Sequence, residues 1–132
     1  MMNKIYFLAI LFLFSLCSQR RSSLEIKIQS VNKDLESPIR IGCGDFSNIF
    51  KDEIKARTIN DKEQIEVFNE ALKKLDKDRD SMNVDVRAKI FIRDNDHVDT
   101  LCASRFFIIY NDITYKMSNE LASQLWSGYP EE

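Results

Sequence analysis

Apolar and polar residues alternate in "LEIKIQ", where Leu24, Ile26 and Ile28 are interleaved with Glu25, Lys27 and Gln29; this is the period of a half-buried strand. The same period returns in "IRIGC" after Pro38, with Ile39, Ile41 and Cys43 on one face, which predicts a second strand with Cys43 pointing inward. In "DFSNIF" the spacing of Phe46, Ile49 and Phe50 changes to that of a helix, and Asp45 stands where an N-cap would. "IKARTI", Ile54 to Ile59, is a further strand candidate. The clearest helix begins at Asp61, with Gln64 as capping-box partner and Ile65, Phe68, Ala71, Leu72 and Leu75 on one apolar stripe. It should end near Leu75 and lie across a sheet, because a single stripe needs one partner layer.

The second half predicts consecutive antiparallel strands. "VDVRAKIFIR" places Val84, Val86, Ala88, Ile90 and Ile92 on one face and Asp85, Arg87, Lys89 and Arg93 on the other. "DNDH" reverses the chain, and "VDTLCA" returns in one of two registers. A two-residue loop sets Leu101 beside Ile90, whereas a three-residue loop sets Cys102 there; a bond from Cys102 to an inward Cys43 would favour the second. "RFFIIYNDITYKM" is a hairpin about Asn111 and Asp112, which tolerate the positive φ of a two-residue turn. Counting back pairs Tyr110 with Ile113, Ile108 with Tyr115 and Phe106 with Met117 on one face, leaving Phe107 and Ile109 on the other. Ser118 then caps a short helix carrying Leu121, Ala122, Leu125 and Trp126, and Gly128 stops it. The predicted fold is α+β: an antiparallel sheet of about five or six strands packed by one main helix and a short C-terminal helix. Residues 24–127 form its single domain, and 128–132 a frayed tail.

Ahead of that domain, Lys4 precedes an uncharged apolar run from Ile5 to Leu16, the pattern of an export signal. The run is short of the roughly 20 residues that span a bilayer as a helix. Leu13, Phe14, Ser15, Leu16 and Cys17, followed by Ser18, resemble the signal of small bacterial lipoproteins, in which the cysteine is acylated and becomes the new N-terminus. Leu16 departs from the small residue usual before that cysteine. The resemblance implies residues 1–17 as signal peptide, Cys17 as the lipidated atom, 18–23 as tether, and a periplasmic or outer-membrane-associated protein held to the membrane through its lipid. Cleavage after Cys17, with Ser15 at the −3 position, is the other reading and would give a secreted protein. The likeness of the body is one of general pattern only and carries over no functional residue.

Composition narrows the functional classes. Without residues 1–17, 18 basic residues face 21 acidic ones, interspersed and without a basic block after Arg20 and Arg21, so no nucleic-acid surface is expected. Cys43 and Cys102 remain as an even pair, which in an oxidising compartment predicts a disulfide; two buried free thiols are the alternative. Closing that loop of about 60 residues is worth at most ~4 kcal/mol in the chain-entropy model.

Candidate chemistry is sparse. Asp76, Asp78 and Asp80 in "DKDRD" mimic the start of a calcium loop, but Ser81 stands where Gly is needed and Arg87 where the closing Glu should be. His97 among Asp94, Asp96 and Asp99 could serve as a base, yet a polar hairpin loop produces the same composition. "CGDF" and "LCAS" lack zinc spacing. No cofactor or metal is expected, and no residue is assigned as catalytic. Among the aromatics, Phe91 and Phe107 have polar neighbours along their strands and are the candidates for a partner surface. These features favour a non-catalytic binding or scaffold protein of the envelope, with an envelope protein as its potential partner. An inhibitor or immunity-type protein that blocks a toxin or hydrolase is a second reading, and a hydrolase or thiol enzyme using His97 a third.

Overall fold

The computed structural model describes residues 23–78 and 84–130. It contains β1 (Leu24–Ser30), α1 (Phe46–Ile49), β2 (Lys55–Ile59), α2 (Lys62–Lys73), β3 (Ala88–Asp94), β4 (His97–Ala103), β5 (Phe107–Tyr110), β6 (Ile113–Lys116) and α3 (Asn119–Leu125). The six strands form one antiparallel sheet in the order β2-β1-β3-β4-β5-β6, so the predicted α+β architecture holds. Among the described residues no helix is long and apolar enough to cross a membrane.

The sheet is covered on both faces, by different means. On the first face, Ile26, Ile28, Ala88, Ile90, Leu101 and Ile108 pack under Ile65, Phe68 and Ala71 of α2 and Leu121 and Leu125 of α3. The amphipathic stripe of α2 makes this possible, and its start is fixed by Asp61, whose side chain accepts from the Gln64 N–H at 3.0 Å. Ser118 caps α3 in the same way through Leu121. On the second face, the excursion of residues 31–54 folds back over part of the sheet, burying Val31, Ile41, Phe46 and Phe50 against Val84, Val86 and Cys102.

The disulfide fastens that excursion. Cys43 is bonded to Cys102 with the two Cα atoms 5.8 Å apart, as the cysteine pairing predicted. The loop choice coupled to it is overturned: Asp94 pairs with His97 across a two-residue turn, and Ile90 faces Leu101. Cys102 therefore shares the second face with Lys89, opposite the helices. The staple joins sheet to excursion and not sheet to helix-side core.

Other departures follow from local hydrogen bonding. "IRIGC" is not a strand: Ile39 is 61% exposed while Ile41 is buried. Ile41 makes a single exchange, its N–H donating to Asp85 Oδ1 and its carbonyl accepting from Val86, and a side chain thus takes the place of a ladder. Val84 and Val86 belong to the second cluster, whereas Ala88 and Ile90 belong to the first. The chain ahead of β3 switches face at Arg87, which is itself buried. Asp45 precedes α1 without a side-chain cap, whereas α2 ends at Lys73 with Lys74 as its C-cap, close to Leu75 as expected.

The β3–β4 and β5–β6 hairpins each turn at two residues. Asn111 and Asp112 have φ of 49° and 61°, the left-handed region that a type I′ turn requires. Tyr110 pairs with Ile113 and Ile108 with Tyr115, as counted from the sequence. Phe106 breaks the expected pattern. Its carbonyl still accepts from Met117, but Ser104 to Phe107 form a turn in which Ser104 Oγ accepts from the N–H groups of Phe106 and Phe107. The ring is carried to the tip and is 64% exposed.

Candidate functional site

The end of the sheet at which β1 and β4 finish carries a broad open groove of about 1140 Å³. Three segments line it: residues 33–37 of the excursion, residues 84, 85 and 87 ahead of β3, and the turn from Ser104 to Phe107. Arg87 ties the first two of these walls together. Its Nε donates to the Leu35 carbonyl at 3.0 Å, Nη1 donates to the Val86 carbonyl and to Asp85 Oδ1, and Nη2 lies 2.8 Å from Asp85 Oδ2. The guanidinium also lies over Phe50, 5.3 Å from the ring centroid. A buried cation with this many acceptors is a structural clamp, since its desolvation is offset by paired charge and carbonyls. Across the mouth, Arg105 Nη1 meets Asp34 Oδ1 at 2.6 Å and the Arg105 guanidinium lies 5.3 Å from the Phe106 centroid. An exposed aromatic therefore stands on a turn tied to the opposite wall.

Of the two aromatics expected at a partner surface, neither lies fully open. Phe107 is half-buried, packed against the second cluster as well as lining the groove. Phe91 is half-buried on the uncovered part of the second face, with Lys89 Nζ 5.6 Å from its ring centroid. Phe106 is the aromatic that sequence alternation missed. The Ser-Arg doublet ahead of it is the signal that could have placed a turn there.

His97 stands at the start of β4 with its side chain 75% exposed, and Nε2 lies 3.1 Å from Asp99 Oδ1 on its own strand. It lines neither the groove nor the smaller pits. Each of the two cysteine sulfurs of the domain is engaged by the other, so neither is a free nucleophile. Asp76 and Asp78 lie on the segment whose backbone pairs with β6, through Lys116 N–H to the Asp76 carbonyl and Asp78 N–H to the Thr114 carbonyl. Asp80 and Cys17 lie outside the described residues. Among the described residues no cluster of His, Cys, Asp or Glu could hold a metal ion. Glu70, on the exposed side of α2, has its carboxyl pKa lowered by the hydrogen bond and charge of Lys73; it lies apart from both surfaces.

No known family model matches this chain, and neither a curated protein nor a solved structure shows similarity to it.

Proposed function

We propose that the chain is an exported, lipid-anchored, non-catalytic binding module of the bacterial envelope that engages a protein partner at the Phe106 groove. The observation that supports this reading is the position of the groove relative to Leu24, the residue before which a tether of residues 18–23 would attach: β1 begins at Leu24, whereas the groove gathers where β1 ends, beyond Ser30. A strand of this length spans about 20 Å. A domain held to a membrane through Cys17 would present the groove away from the lipid. The Cys43–Cys102 staple supports an oxidising compartment.

Two measurements test the proposal. The intact mass of the full-length product, made in a bacterial host with its own leader, should begin at Cys17 and carry acyl chains. Cys43 and Cys102 should alkylate only after reduction. A mass beginning at Ser18 with both thiols free would overturn the anchor and the compartment together. A photo-crosslinking residue in place of Phe106 should then capture one envelope protein in stoichiometric yield, and equal labelling of many proteins would remove the groove as the binding surface.

A further inference from the structure

The second face of the sheet is only partly covered by the excursion, and the uncovered part has a charge balance opposite to that of the chain. By strand register Lys27 lies directly across from Phe91, with Thr58 and Thr100 completing the row. Lys89 and Arg93 flank Phe91 on its own strand, two residues to either side and on the same face. Glu25, across from Arg93, is the one acid of this group. Three cations against one acid surround a half-buried aromatic in a chain whose acidic residues outnumber its basic ones 21 to 19. Among the described residues none of the three cations lies within ion-pair distance of a carboxylate. Beside Phe91 the surface dips into a pit of about 190 Å³ lined by Glu25, Lys27, Gln29, Phe91, Arg93 and Val98, with room for a large apolar side chain.

We propose that this face docks an acidic polypeptide segment that places one apolar side chain in the pit beside Phe91 and its carboxylates on Lys27, Lys89 and Arg93. Charge complementarity names the sign of the partner, because unpaired cations steer and orient an acidic surface. The pit names its class, since an anchoring side chain flanked by charge belongs to a polypeptide. A planar layer of lipid headgroups cannot enter the pit, and the excursion rises from the same face as a step. A single aromatic is too few for a nucleic-acid stacking platform. The proposal rests on surface chemistry and register, independently of the export reading and of the Phe106 groove.

The test is a titration of the full-length oxidised protein in zwitterionic micelles with a seven-residue peptide of aspartates and glutamates around a central leucine, followed by amide shifts. The expected shifts concentrate at Lys27, Lys89, Phe91 and Arg93. Affinity should fall about tenfold in the Lys27→Glu/Arg93→Glu variant and again when the peptide leucine becomes serine. Phe91→Ala should weaken the leucine peptide and leave the serine peptide unchanged. The proposal is overturned if the peptide shifts no residue on this face or binds the charge-reversal variant as tightly as the parent. It is equally overturned if these residues respond only when the micelles are doped with phosphatidylglycerol, or only to an oligothymidylate, which would make the face a lipid or nucleic-acid surface.

Discussion

The indole Nε1 of Trp126 donates a hydrogen bond of 2.9 Å to the carbonyl of Val31, joining positions 95 residues apart. Tyr129 adds a second bond of 2.7 Å to the carbonyl of Ser30, with Lys55 Nζ 4.4 Å from its ring centroid. The segment after α3 thus fastens the point where β1 gives way to the excursion, and Tyr129 is held there although the sequence reading leaves it in the tail. Trp126→Phe removes the donor and leaves a buried carbonyl unsatisfied, which should cost about 1–3 kcal/mol. Tyr129→Phe, at a half-buried site, should cost about 1 kcal/mol or less. Urea unfolding of the two variants checks both the size and the order; equal losses would mean that ring packing, and not the bond to Val31, dominates.

The disulfide spans a sequence separation of 59. Replacing both Cys43 and Cys102 with Ala should lower stability by about 2–4 kcal/mol, because the unstapled chain regains loop entropy on unfolding. The effect should be local as well. The excursion is held to the second face through Cys102, Ile41 and Phe46, so amide exchange should accelerate across residues 31–54 before it does in β1 or β3. Uniform acceleration would show that the excursion and sheet open as one unit.

The sheet and helices were legible because their signals are local. Ile26 and Ile28 alternate with charges, Phe68 and Ala71 recur at helical spacing, and Asp61 with Gln64 marks a start that the hydrogen bond realises. The face of Cys102 was not legible, because one residue of turn length moves every side chain of β4 to the other side, and the sequence allows either length. The groove escaped for a related reason. It is built from the non-repetitive segments 33–37, 84–87 and 104–107, whose conformations depend on the Arg87 guanidinium and Ser104 hydroxyl bonding to backbone. Apolar periodicity carries no trace of such contacts, and it placed Phe106 within the strand when a turn carries it outward.

The β5–β6 turn offers a change that should stabilise. Asp112 sits at φ 61°, a conformation that strains a residue bearing a Cβ and that glycine adopts freely. Asp112→Gly should raise stability by about 0.5–1 kcal/mol, the strain relief exceeding the extra entropy of the unfolded chain. Asp112→Val, at the same φ, should lower it. Thermal melts of the pair decide the matter, and a glycine variant less stable than the parent would mean that the Asp112 side chain contributes a stabilising interaction larger than its backbone strain.

Arg87 is where stability and the groove meet. Its guanidinium is buried while the Asp85 side chain is 43% exposed, so the pair is held from one side by protein and from the other by water. Arg87→Ala should cost about 3 kcal/mol, near the lower end for breaking a buried pair, because the Leu35 and Val86 carbonyls lose their donors as Asp85 loses its counter-charge. Arg87→Lys keeps the charge but not the fork that reaches Leu35, Val86 and Asp85 together. It should recover less than half of that loss. The decisive readout is the groove wall: in the lysine variant amide exchange at residues 33–37 should rise while β1 and β3 keep the protection of the parent. Parent-like protection throughout would show that Asp34 and Arg105 hold the wall without Arg87, and the clamp would then belong to stability alone.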